Sequence, residues 1–133
     1  MNNCKVKFIS NIDGVSNNIV TLGVLKKQNK NFSVAFFYDT EKSVEYVFSV
    51  INNKVTMSSK GLVSYRFVLE KGKQSCFSMN LLGGEILCTV TCYNVEILTN
   101  QNKTLVKGSY DINVNGNNQK CLFSLEVEED LWL

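Results

Sequence analysis

Apolar and polar residues alternate with a period of two through most of this 133-residue chain, and this alternation constrains the fold more than any other feature. Alternate side chains point to opposite faces of an extended strand, whereas a helix repeats about every 3.6 residues. Segments rich in Asn and Gly divide the alternation into ten runs. The pattern therefore predicts an all-β chain. The runs are residues 4–13, 19–27, 31–38, 44–51, 54–60, 63–70, 73–81, 85–98, 103–114 and 118–128.

The composition also favours strands over helices. The chain has one alanine, Ala35, but 30 residues of Val, Ile and Thr. Alanine is the best helix former, whereas β-branched residues fit a pleated sheet better than a helix. Proline is absent and asparagine is abundant, so we expect Asn and Gly, which tolerate positive φ, to form the turns.

Short turns between the runs predict antiparallel hairpins, in which residues opposite each other share a face. Two-residue turns at Asn52-Asn53, Gly83-Gly84 and Asn115-Gly116 bring apolar residues opposite one another. Around Gly72 only an odd-length loop of residues 70–72 does so. The predicted pairs are Val50 with Val55, Phe48 with Met57, Leu81 with Ile86, Met79 with Cys88, Phe77 with Val90, Tyr65 with Phe77, Val106 with Leu125, Gly108 with Phe123, and Tyr110 with Cys121.

The run at residues 85–98 changes its apolar face part-way along. Cys92 belongs to one face, whereas Tyr93, Val95 and Ile97 follow the opposite parity. A β-bulge between Cys92 and Asn94 would restore the facing and bend the strand. Long strands joined by hairpins, with no proline to protect an edge, favour one antiparallel up-and-down β-barrel of about eight to ten strands over residues 1–133. A two-sheet sandwich is the alternative.

Charge, the length of apolar runs and cysteine content indicate which partners and which cellular compartment to expect. The net charge is +2 and Arg66 is the one arginine, so we expect no nucleic-acid partner. No apolar run approaches the roughly 18 residues of a membrane-spanning helix, and residues 1–5 lack the apolar run of a signal peptide, so we expect no membrane partner. Five cysteines, an odd number, favour free thiols in the cytoplasm over a disulfide framework.

The residue types required by common catalytic and metal sites are scarce. Histidine is absent, which removes Ser-His-Asp and Cys-His nucleophilic systems and histidine-ligated metals. Cys88 and Cys92 would lie about 13 Å apart on one strand, too far to share a metal ion. Glu126 and Glu128 alternate with apolar residues, as on a solvated strand face. We therefore expect no enzyme activity, no catalytic residue, no metal and no cofactor.

Three segments carry a resemblance to a known family: Val55–Gly61 (VTMSSKG), Phe67–Lys73 (FVLEKGK) and Tyr110–Gly116 (YDINVNG). Their order and spacing resemble the YwiB-like family of small bacterial proteins of unknown function. This resemblance, which extends from about Val6 to Glu128, implies a calycin-like (lipocalin-like) β-barrel. It implies no catalytic residue, since the family has no assigned activity.

Aromatic residues on the apolar parity are the candidate ligand-binding residues. An eight-stranded barrel either fills with side chains or holds one small ligand. One hypothesis is therefore a small, largely apolar ligand inside the barrel, and the simpler alternative is that the rings fill it. A further alternative is a protein-interaction module that uses the outer face or the C-terminal residues 130–133, with an unknown partner. The candidate lining residues are Tyr38, Tyr46, Tyr65, Phe67, Phe77 and Tyr110.

Overall fold

Each of the ten alternating runs forms a β-strand in the structure, a computed structural model that describes residues 2–38 and 43–129. Within this part of the chain there is no helix long and apolar enough to cross a membrane. The strands are β1 (Asn2–Ile12), β2 (Val15–Gln28), β3 (Asn31–Phe37), β4 (Glu45–Ile51), β5 (Lys54–Lys60), β6 (Ser64–Leu69), β7 (Gln74–Leu81), β8 (Gly84–Asn100), β9 (Lys103–Val114) and β10 (Asn117–Glu129).

The strands form one closed antiparallel barrel. Every strand pairs with the next along the chain, and β1 closes the barrel by pairing with β10, where Val6 lies opposite Val127. Closure removes the two free edges that an open sheet of these strands would have. The predicted up-and-down barrel is confirmed, and the two-sheet sandwich is wrong because a single sheet closes on itself.

Two of the predicted hairpins have the predicted register. Asn52, Asn53, Asn115 and Gly116 all have positive φ, as a two-residue turn that matches the twist of antiparallel strands requires. The five pairs predicted around these two turns are all present, including Gly108 opposite Phe123.

The other two predicted registers are wrong by two residues. Gly83 has positive φ but Gly84 does not, so the turn is Leu82-Gly83 and Gly84 begins β8. Ile86 consequently lies opposite Met79 rather than opposite Leu81. A shift of two residues keeps every side chain on its face. The same shift makes two further predicted pairs wrong. Cys88 lies opposite Phe77 instead of Met79, and Val90 lies opposite Ser75 instead of Phe77.

Tyr65 lies opposite Met79, not opposite Phe77 as predicted. The reason is a contact from the β6–β7 loop to β8, because the Gly72 amide donates to the Cys92 carbonyl at 2.9 Å and the Cys92 amide to the Lys73 carbonyl at 3.0 Å. These bonds hold the start of β7 against β8. β6 and β7 are therefore paired only at residues 64–65 and 79–80.

The predicted bulge in β8 is present between Cys92 and Asn94. Tyr93 is the extra residue, and its ring is 55% exposed instead of following the apolar face as predicted. Its hydroxyl donates to Asp111 Oδ2 at 2.8 Å. Val95 and Ile97 then pack against the core, so the inward facing resumes at Val95, two residues later than expected.

We predict that Gly108→Val destabilises the barrel by about 1–3 kcal/mol through overpacking. A Cβ at Gly108 would lie 2.3 Å from Phe123 Cε1, and the Phe123 ring is itself held by Phe8, Phe48 and Tyr110. Urea unfolding followed by circular dichroism measures the loss. Gly84→Val is the control, because a Cβ there meets nothing within 4 Å. Equal stabilities of the two variants would contradict the packing of Phe123 over Gly108.

Candidate functional site

Five of the six predicted lining residues lie inside the barrel. Phe67, Phe77 and Tyr110 are buried, and Tyr46 and Tyr65 are partly buried against the same core. The alternation places them there, because each occupies an inward position of its strand.

Tyr38 is the exception and does not line the interior. It follows the last residue of β3, where the strand alternation ends, and its side chain is 44% exposed. Its amide donates to the Val44 carbonyl at 2.8 Å. Its ring meets Tyr46 edge-on with centroids 6.0 Å apart, so Tyr38 lies at the rim of the barrel.

Aromatic rings occupy the interior in a continuous set of contacts. Phe8 is central, with its ring centroid 5.2 Å from Phe48 and 5.9 Å from both Phe36 and Tyr46. These separations fall in the range of attractive aromatic pairs. The contacts continue from Phe48 to Phe123, Tyr110, Phe67 and Phe77, with Tyr65 stacked on Phe67.

Four of these rings were not among the predicted lining residues: Phe8, Phe36, Phe48 and Phe123. The predicted set contained four tyrosines but only two phenylalanines, Phe67 and Phe77. The four phenylalanines also occupy inward positions of their strands, and this parity was the signal that would have added them to the predicted lining residues.

The tyrosine hydroxyls gather at one end of the barrel. Ser59 lies opposite both Tyr46 and Tyr65, and its hydroxyl donates to the Val63 carbonyl at 3.3 Å. Burial raises the pKa of Tyr65 and of Tyr110, and electrostatic repulsion from neighbouring groups, Tyr46 in both cases, raises both pKa values further. These phenols therefore stay protonated at neutral pH, as hydrogen-bonding groups rather than bases.

Four of the five cysteines are buried, and their thiols are poorly suited to act as nucleophiles. Cys121 lies opposite Tyr110, and burial raises the pKa of the Cys121 thiol to about 11. Burial also raises the pKa of Cys4, Cys88 and Cys92, so these thiols are not thiolates at neutral pH. Among residues 2–38 and 43–129, no three Cys, Asp or Glu side chains lie close enough to hold a metal ion.

On the outer wall, strand β2 carries apolar residues at three successive outward positions. Val20, Leu22 and Val24, at successive outward positions of β2, are 74%, 61% and 39% exposed. Val24 lies opposite Ala35 of β3, which extends the apolar surface to the next strand. We call these four residues the β2 patch. Sequence alternation did not reveal it, because β2 is apolar on both faces here.

The outer wall also has grooves. One of about 370 Å³ crosses β1, β10, β9 and β8 above Gly108 and Phe123. Another of about 500 Å³ crosses β4, β5, β6 and β7, where β6 and β7 separate.

A closed ten-stranded antiparallel meander around an aromatic core defines the structural class of this protein. Residues 7–124 match the model of a family described as a domain of unknown function, DUF1934, and the chain belongs to that family. The fold is similar to the crystal structure of the YwiB protein from Bacillus subtilis. The TM-score is 0.80 at 15% identity, over 97% of this chain and 92% of that chain. The predicted membership of the YwiB-like family is thus confirmed. Among curated proteins, none matches the chain.

We predict that Tyr65 and Tyr110 add a loss of stability above about pH 10, beyond the loss that the buried thiols cause above about pH 9, because the unfolded chain ionises these groups while the fold keeps them protonated. Below pH 10 the two tyrosines are protonated in both states and their contribution is fully present. Tyr110→Phe should reduce the loss by about 1.4 kcal/mol per pH unit. Urea unfolding between pH 8 and pH 11 measures how the free energy of unfolding changes with pH. An unchanged slope in Tyr110→Phe would contradict the burial of this hydroxyl.

Proposed function

We propose that this protein is a non-catalytic binding protein that recognises another protein through the outer wall of its barrel. The observation that carries the proposal is the packed interior. Phe36 and Phe48 are almost completely buried and stack with centroids 5.9 Å apart, in the middle of the space that a ligand would need. Recognition is therefore assigned to the outside.

The side-chain chemistry supports a role without catalysis. The chain has no histidine, and the four buried thiols and the inward phenols have raised pKa values. Such groups are poor nucleophiles and poor general bases at neutral pH. The odd number of cysteines supports our further proposal that the protein resides in the cytoplasm.

The β2 patch is the proposed recognition surface. Outward positions of a barrel strand normally carry polar residues, and single exposed apolar residues are common. Three successive apolar residues on β2, continued by Ala35 on β3, form a contiguous exposed surface instead. Contiguous apolar surface of this kind is characteristic of protein interaction sites.

Lysines beside the patch indicate the chemistry of the partner. Lys5 and Lys7 lie opposite Leu22 and Val20, and neither forms an ion pair within the part of the chain that the structure describes. On β10 the neighbouring Glu126 and Glu128 are bound by Lys103, at 2.9 Å and 3.9 Å. The unpaired ammonium groups favour a partner segment that carries apolar side chains flanked by carboxylates.

A small, largely apolar ligand inside the barrel is the second candidate function. The observation that favours it is the group of hydroxyls from Tyr46, Tyr65 and Tyr110 at one end, which would orient the polar end of a ligand. Such a ligand would have to displace rings that are in contact with one another. The residues 130–133 proposed as another interaction site lie outside the described residues.

We predict that Leu22→Glu abolishes partner binding while Leu98→Glu does not. The two leucines are matched, since Leu98 is 59% exposed at an outward position of β8. A carboxylate at position 22 would be desolvated in an apolar interface and would repel the partner's acidic groups. Proteins retained by each variant from an extract of its own source are quantified against the unmodified protein.

We expect one protein to be retained stoichiometrically by the unmodified chain and by Leu98→Glu. The amount of that protein retained by Leu22→Glu should be at least tenfold lower. Equal retention by both variants, or no stoichiometric protein with any of them, would refute the assignment of the β2 patch. Circular dichroism confirms that both variants fold.

A further inference from the structure

We propose that the groove across β5, β6 and β7 binds a small oxyanion, the phosphate or carboxylate group of a small molecule, with Arg66 as its principal ligand. The groove has a volume of about 500 Å³, within the range of small-molecule sites. It is separate from the β2 patch, so the inference goes beyond the proposed function. Its polar lining residues include Ser58, Lys60, Ser64, Arg66, Ser78 and Asn80.

The groove exists because short side chains occupy outward positions on three neighbouring strands. Ser58 of β5 lies opposite Arg66 of β6, and Ser64 of β6 lies opposite Asn80 of β7. Beyond Ser64 and Tyr65 the two strands β6 and β7 are no longer paired, which leaves space beside Arg66. The serines form the floor of a trough, and the long side chains of Lys60 and Arg66 border it.

Arg66 is the group best suited to hold an anion. It is the one arginine of the chain, and within residues 2–38 and 43–129 its guanidinium has neither an ion pair nor a side-chain hydrogen bond. A guanidinium offers five donors in a planar fork that matches two oxygens of a carboxylate or phosphate. Its directly opposite neighbour on β5 is Ser58, whose hydroxyl donates to the Val47 carbonyl at 3.4 Å and brings no negative charge to compete with an anion.

The neighbouring charges place the anion beside Arg66 rather than beside Lys60. Lys60 lies directly opposite Glu45 of β4, and Asn80 lies directly opposite Glu85 of β8, so each has a carboxylate beside it. Arg66 instead lies opposite Ser58 of β5, which in turn lies opposite Val47 of β4, and both of these residues are uncharged. In the described part of the chain, the side chains of Ser78 and Asn80 also lack hydrogen-bond partners and are free to donate to a bound oxygen.

The test uses inorganic phosphate and acetate as separate probes, titrated at low ionic strength and followed by two-dimensional ¹H–¹⁵N NMR. We predict saturable shifts of the Arg66 and Ser78 amides, with a Kd of about 1 mM. The tighter of the two probes identifies whether the natural group is a phosphate or a carboxylate. Arg66→Gln should weaken binding at least ~10-fold, and Arg66→Lys should weaken it less, because it keeps the charge but loses the fork.

Lys107→Gln is the matched control, since Lys107 is an exposed cation on the opposite part of the wall, across from Glu96. It should change the Kd by less than twofold. Equal weakening by Arg66→Gln and Lys107→Gln would show that general charge attracts the anion, which would overturn the proposed site. So would the absence of saturable binding by either probe, and either failure would leave the β2 patch unaffected.

Discussion

The pairing of β1 with β10 is the constraint on which the rest of this structure depends. Nine successive residues of β1, from Cys4 to Ile12, lie opposite residues of β10. Without that pairing the sheet would have two exposed edges, and its apolar face would have no common interior to pack into. Closure turns a series of local hairpins into a barrel, and it directs every inward side chain toward the same axis.

Closure also determines what the interior can hold. Phe8 of β1 reaches Phe36 and Phe48 on β3 and β4 as well as Phe123 on β10, so its ring packs against strands far apart in sequence. Gly108 accommodates the Phe123 ring where a larger residue would collide with it. Because rings fill the axis, we propose that recognition takes place on the wall, where the β2 patch and the groove at Arg66 present different chemistries.

Much of this architecture could be predicted from the sequence, because strand facing depends on a period of two that local residues specify. Register was predictable where both turn residues favour positive φ, as at Asn115 and Gly116. The register at Gly83 was not predictable, because two adjacent glycines leave open which of them occupies the turn. The pairing of Tyr65 depends on long-range bonds between residues 72–73 and Cys92, which no local pattern encodes.

The candidate sites were less predictable for the same physical reason. The inward placement of Tyr46, Tyr65 and Tyr110 followed from parity, whereas Tyr38 lies beyond the end of its strand, where parity no longer applies. The groove at Arg66 brings together residues from separate strands and depends on where β6 and β7 part. Only the assembled sheet shows that Arg66 has a serine rather than a carboxylate opposite it.

Native mass spectrometry of the protein purified from its own source distinguishes a barrel filled by aromatic side chains from one filled by a ligand. We expect a folded 15.0 kDa chain, or a whole-number multiple of it, with no apolar organic molecule retained. One apolar molecule bound per chain, and released only when the barrel unfolds, would show instead that the interior is a binding site.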